Sequence, residues 1–269
     1  MIRLGAVGYL NARPLVFGLE ADPRFDVRYD IPSECARLLH AHEIDVGLIP
    51  SIEYLRGPRP YTFVAGPAVT SCGPVASVAI YTRRDERDIR TIAMDTSSRT
   101  SVALGEIVLR RRFGVAPTAV PMPPDLDAML GRADAALIIG DTALFLDHAA
   151  AGVRKIDLGD VWTTMTGLPF VYAFWTGWPD AVGREDAEAL ERARDAGVAH
   201  ADEIAAAYHP DDVARQAVAR RYLRDNIRYF LGDAEIEGLR TFYAYASELG
   251  LAAFDGTLRI YHAEHHGAR

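Results

Sequence analysis

Lysine is almost absent from this 269-residue chain: Lys155 is the only one among 29 basic residues, and the rest are arginine. With no Gly-Lys pair, a Walker A loop is excluded. Lys155 is also the one amine available for Schiff-base chemistry, and Val153-Arg154-Lys155-Ile156-Asp157 reads as an ordinary strand, so covalent amine catalysis is not expected. Two cysteines, Cys35 and Cys72, are too few for a disulfide framework or a zinc knuckle. No stretch reaches the ~18 apolar residues of a membrane span. The start, Met1 to Gly8 running into Asn11 and Arg13, lacks the pattern of a signal peptide, which makes the cytoplasm the expected location. A basic surplus is missing too: 37 acidic residues leave a net charge of −8, so neither nucleic acid nor an anionic membrane is an expected partner. Any anionic ligand must be held by a local device. GxSxG, HExxH, CxxC and GxGxxG are all absent. His40 and His42 are two apart and would face different sides of a helix, and His262, His265 and His266 fall in a polar tail, so no metal is expected.

What remains is an ordinary globular composition, 49% hydrophobic and 25% charged, long enough for one large or two modest domains. Short apolar runs alternate with helical patterns as far as residue 178, the signature of an α/β chain with a mostly parallel sheet. Strands are predicted at Arg3–Gly8, Phe25–Asp30, Asp45–Ile49, Thr62–Gly66, Ala76–Thr82, Thr91–Met94, Thr118–Pro121, Ala135–Ile139, Arg154–Asp157 and Val171–Trp175. Three helices follow, Arg184–Tyr208, Asp211–Leu231 and Asp233–Leu249, separated by Pro210 and Gly232. The charged link 82–90 and the Gly/Pro-marked link 175–183 suggest two crossings between lobes. An inserted lobe of 90–175 would then sit in a discontinuous lobe made of 1–89 and 176–269, with a ligand cleft between them.

In open α/β sheets ligands bind beyond the carboxyl ends of strands. Gly8-Tyr9-Leu10-Asn11-Ala12-Arg13-Pro14 offers Asn11, a good N-cap, followed by a proline suited to a first helical turn. Ser51, in Ile49-Pro50-Ser51, either caps a helix or turns its hydroxyl to the cleft. Asp95-Thr96-Ser97-Ser98-Arg99-Thr100-Ser101 is the most informative junction. Five hydroxyls and an arginine precede an amphipathic helix, an arrangement suited to an anion, with Arg99 able to grip a carboxylate. Gly140-Asp141-Thr142 permits close backbone approach and offers a cap. Ser71-Cys72-Gly73-Pro74 is a compact turn with donors, in which Cys72 reads as a small packed thiol. Trp162, Trp175 and Trp178 are expected in the core.

Taken together these junctions are similar to those of the chorismate dehydratases of menaquinone biosynthesis by the futalosine route. The resemblance is carried by Gly8–Leu15, Glu43–Tyr54, Ser71–Val78, Asp95–Leu104, Gly140–Leu144 and Thr166–Val171, in the right order over residues 1–178. The helical remainder is generic. The resemblance implies a two-lobed fold of the type II periplasmic-binding-protein kind and a lyase without cofactor. Its substrate would be chorismate, which loses water to give 3-[(1-carboxyvinyl)oxy]benzoate. On this reading Asn11 is the catalytic position, and Ser51, Ser71, Gly73, Ser98, Arg99, Thr100, Ser101, Gly140 and Asp141 bind substrate.

The matched motifs present no histidine, and Asn11 is a poor proton acceptor. Asp141 and Glu53 are conceivable bases; the substrate's own enolpyruvyl carboxylate is the third, oriented by Asn11 and the hydroxyl loops. Two rivals share the architecture. One is a cytosolic solute-binding protein for a small carboxylate, which would leave chorismate unchanged. The other is the 1,4-dihydroxy-6-naphthoate synthase of the same pathway, whose expected Ser-Cys-Asp-Thr segment is replaced here by Ser71-Cys72-Gly73-Pro74.

Overall fold

The computed structural model describes residues 1–261; His262, His265 and His266 lie outside them. Strands β1 (Ile2–Val7), β2 (Phe25–Asp30), β3 (Val46–Pro50) and β4 (Thr62–Ser71) come first. They are followed by β5 (Val78–Thr82), β6 (Thr91–Asp95), β7 (Thr118–Met122), β8 (Ala135–Ile139), β9 (Arg154–Asp157) and β10 (Phe170–Gly177). Two late strands, β11 (Arg228–Leu231) and β12 (Ile260–Tyr261), complete the set. The helices are α1 (Pro32–His40), α2 (Arg99–Phe113), α3 (Leu126–Leu130), α4 (Gly140–Leu144), α5 (Leu158–Thr166), α6 (Arg184–Ala199), α7 (Ala201–Tyr208), α8 (Val213–Arg221) and α9 (Asp233–Glu248). Among the described residues, no helix is long and apolar enough to cross a membrane.

Two sheets form, ordered β11-β4-β10-β3-β1-β2 with β12 on β4, and β7-β6-β8-β5-β9. The fold is therefore α/β with two lobes, but neither sheet is mostly parallel. β1 runs parallel to β2 and β3, and β6 parallel to β7 and β8. By contrast β10 is antiparallel to β3 and β4, and β5 to β8 and β9. The reason is topological. β4 leads out of the first sheet and β10 leads back in beside it, so the two must run in opposite directions.

The crossings also fall earlier than charge suggested. β5 belongs to the second sheet and β10 to the first, which places the crossings at 72–77 and 167–169 rather than at 82–90 and 175–183. The charged link is a surface loop within the second lobe, with a 3-10 turn at Glu86–Asp88: charge marks exposure, whereas the crossing chain is partly buried. Asp157 fastens the first crossing, accepting from the Val75 and Ala76 amides at 3.0 and 2.7 Å while capping α5. Lys155 donates to the Ala76 carbonyl at 2.6 Å, so its amine serves the framework.

The C-terminal part departs furthest from its helical reading. His200 interrupts the first predicted helix, dividing α6 from α7. The second, Asp211–Leu231, is helical only through α8, passes through a π turn at Tyr222–Asn226 and ends as β11, an edge strand of the first sheet. Trp162 and Trp175 are fully buried in the core and Trp178 packs against Tyr61. Cys35 is buried, whereas Cys72 is exposed and is not the packed thiol expected of it.

Candidate active site

The cleft lies where β1, β3, β6 and β8 all end. Leu48, Val69, Val78 and Ile139 supply an apolar floor; Tyr9, Asn11, Ser77, Ser98, Ser101 and Tyr172 supply the polar groups. Asn11 sits in a 3-10 turn, Leu10–Val16, whose N-cap is Tyr9 without a side-chain cap. Its amide is therefore not consumed in capping and faces the cavity. Ser98 caps α2, accepting from the Ser101 amide at 3.4 Å, and the two hydroxyls lie 3.2 Å apart at the positive end of the helix.

These loops are braced from beneath. The buried Asp95 carboxylate accepts from the Ser97 amide and hydroxyl at 2.8 and 2.6 Å, and from the Ile139 amide at 3.2 Å. One side chain thus joins the β6–α2 loop to the end of β8. Gly140 adopts φ +65°, and a Cβ there would lie 2.9–3.2 Å from the Tyr9 ring. Both its backbone angle and its neighbour require glycine.

Of the positions expected from the sequence, Asn11, Ser98, Ser101 and Gly140 line the cavity. The others turn to the framework. Ser51 donates to the Val171 carbonyl at 2.8 Å and does not cap. Thr100 accepts from the Ile52 amide at 3.1 Å. Ser71 meets the Tyr172 hydroxyl at 3.0 Å, and the Gly73 amide donates to Thr163 at 2.8 Å.

Arg99 reaches the wrong carboxylate for a substrate clamp. It pairs with Glu53 at 2.7 Å. Glu53 is buried, which pushes its carboxyl upward, but His40 at 3.0 Å, Arg56 at 3.0 Å and Arg99 outweigh burial and hold it below the ordinary range. Enclosed by these three and outside the cavity, Glu53 is not placed to take a substrate proton. Asp141 does not cap α4 either. Its Oδ1 accepts from the Leu10 amide at 3.2 Å and its Oδ2 from the Tyr208 hydroxyl at 2.5 Å, while burial raises its pKa.

Three polar residues of the cavity, Tyr9, Ser77 and Tyr172, carried no distinct mark in the sequence, nor did Tyr222, which bonds Ser77 from behind. The Tyr222 hydroxyl, fully buried, donates to Ser77 Oγ at 2.7 Å. Tyr222 opens the π turn, a distortion often found at functional sites. Burial raises Tyr172 and Tyr222 well above the ordinary tyrosine range, so both are neutral donors at pH 7.

Comparison with known proteins agrees with this geometry. A protein of Archaeoglobus fulgidus superposes with a TM-score of 0.75 at 18% identity, over 93% of this chain and 98% of that one. The alkanesulfonate-binding protein of Xanthomonas axonopodis pv. citri, solved with MOPS bound, gives 0.63 at 16% identity, over 97% of each chain. A Candida albicans protein described as having the generic periplasmic binding protein fold gives 0.67 at 12%, over 95% and 92%. These likenesses show the two-lobed binding-protein fold. In sequence, the chorismate dehydratase of Thermus thermophilus is 29% identical over 269 residues, which is 92% of this chain and 95% of that protein. Residues 2–248 match the family described as menaquinone biosynthesis, and the chain belongs to that family.

Proposed function

We propose that this protein is a chorismate dehydratase, eliminating water from chorismate to give 3-[(1-carboxyvinyl)oxy]benzoate. The observation that carries the reading is the cavity's composition: an apolar floor ringed by neutral hydrogen-bond donors, with no carboxylate or imidazole among the residues that line it. The similarity to the Thermus thermophilus enzyme supports the same assignment.

The chemistry suits such a wall. The proton to be lost, on the ether-bearing ring carbon, is vinylogous to the ring carboxylate. Its removal gives a delocalised dienolate, which expels the neighbouring hydroxyl and becomes aromatic. Donors aimed at the carboxylate stabilise the charge as it develops. Ser98, Ser101 and the α2 N-terminus offer that arrangement on one side, and Asn11 and Ser77, the latter accepting from the buried Tyr222 hydroxyl, on the other. With Glu53 locked in its ion pairs and Asp141 turned to Leu10 and Tyr208, the proton acceptor is the enolpyruvyl carboxylate of the substrate itself. Proton and hydroxyl leave as water, and aromatisation drives the step without electron transfer.

The test is to incubate metal-stripped protein with chorismate and to identify the product by chromatography and ultraviolet spectrum. Loss of the diene with appearance of the benzoate is expected, and unchanged chorismate overturns the proposal. Asn11→Ala is expected to lower kcat about 100-fold, the scale of losing one transition-state donor, with KM within a few-fold of wild type.

A further inference from the structure

Beside the cavity, three elements meet on the segment that carries Asn11. Asp141, in the first turn of α4 on the second lobe, accepts from the Leu10 amide at 3.2 Å. Its other oxygen is 2.5 Å from the hydroxyl of Tyr208, the last residue of α7. That hydroxyl is also 3.1 Å from the Gly8 carbonyl. Gly140, the residue before Asp141, meets the Tyr9 ring from the same side. The backbone of Gly8, Tyr9 and Leu10 is thus gripped on both flanks immediately before Asn11, from the opposite lobe and from the C-terminal helices.

We infer that Asp141 and Tyr208 are positioning residues, which hold the Gly8–Leu10 backbone so that the Asn11 amide stays at the cavity wall while the lobes are together. The inference rests on the dehydratase reading of the cavity. It assigns Asp141 neither proton transfer nor contact with substrate.

Counting protons gives a test that separates the two roles. The Tyr208 hydroxyl has one proton. With Asp141 ionised, that proton goes to the carboxylate, and the Gly8 carbonyl keeps Arg13 Nη2 at 3.4 Å. In Asp141→Asn, the amide oxygen still accepts from Leu10, the amide nitrogen donates to the tyrosine oxygen, and the freed tyrosine proton goes to Gly8. Every contact survives. A base at this position would not.

The experiment measures kcat and KM for chorismate in Asp141→Asn, Asp141→Ala, Tyr208→Phe and the Ala/Phe double variant, with melting temperatures confirming that each is folded. Asp141→Ala and Tyr208→Phe are expected to lower kcat about tenfold with KM within threefold, and Asp141→Asn to keep kcat within about threefold of wild type. The double variant is expected to fall no further than the worse single one, as residues acting through one contact do. If Asp141→Asn is as inactive as Asp141→Ala, the positioning role is wrong and a proton acceptor takes its place. Wild-type rates in Tyr208→Phe, or additive losses in the double variant, likewise overturn it. Wild-type protein inert toward chorismate overturns the dehydratase reading and this inference together, whereas active wild type with unaffected variants overturns this inference alone.

Discussion

A glutamate that is 1% exposed stays ionised only where cations surround it. Arg99 and Arg56 do this for Glu53, and with His40 hydrogen-bonded to the same carboxylate they tie α1, the turn after β3 and the start of α2 into one cluster. Because the folded carboxyl titrates below its ordinary value of 4.5, its contribution is fully present above that pH and is lost as the pH falls through the lower folded value. Glu53→Gln is therefore expected to cost about 1 kcal/mol at neutral pH, because Arg56 and Arg99 are partly exposed and stay hydrated when their partner is lost. Its deficit should narrow steadily once the pH drops below 4.5. Melting temperatures of both proteins from pH 7 to 3 check this, and a gap independent of pH would refute it.

Among the elements, α6 lies unusually close to the turn carrying Asn11. A Cβ on Gly197 would stand 2.1 Å from the Pro14 carbonyl oxygen, a backbone atom that cannot swing aside. Gly197→Ala is expected to destabilise by about 1–3 kcal/mol through overpacking and to lower turnover by shifting that turn. Thermal melting and steady-state rates measure both, and wild-type stability would count against the packing argument. Ser98→Ala removes the cap of α2 and a cavity donor at once. A loss of about 1 kcal/mol is expected, with a kcat deficit larger than that stability loss explains.

Local pattern explains how far the sequence could be read. The strands from β1 to β10 announced themselves as apolar runs between polar junctions, and the junctions marked the strand ends where the cavity sits. Pairing direction was not legible, because it depends on β4 and β10 lying side by side, more than 90 residues apart. β11 was hidden behind α8: four residues in strand cannot outvote the charged helical pattern before them. Arg99 was read as a ligand clamp because nothing local reveals Glu53, 46 residues away, as its partner. Tyr208 and Tyr222 looked generic for the same reason, since their significance lies entirely in what they reach.

For the whole molecule, closure of two lobes on a ligand predicts a stability linkage. Saturating 3-[(1-carboxyvinyl)oxy]benzoate at 100 times its Kd is expected to add about 2.7 kcal/mol, read as a rise in melting temperature. The rise should shrink in Asn11→Ala and disappear for a neutral methyl ester of the same compound. An equal rise with the ester would mean that the carboxylates are not what the cleft holds.

Tyr208 and Tyr222 have a consequence in time as well as in space. Both belong to a stretch synthesised after ten strands of the two sheets. A nascent chain can assemble most of its scaffold while its reactive chamber still lacks a side. Competence therefore comes only when the helices that follow β10 dock and bring their hydroxyls to Gly8 and Ser77.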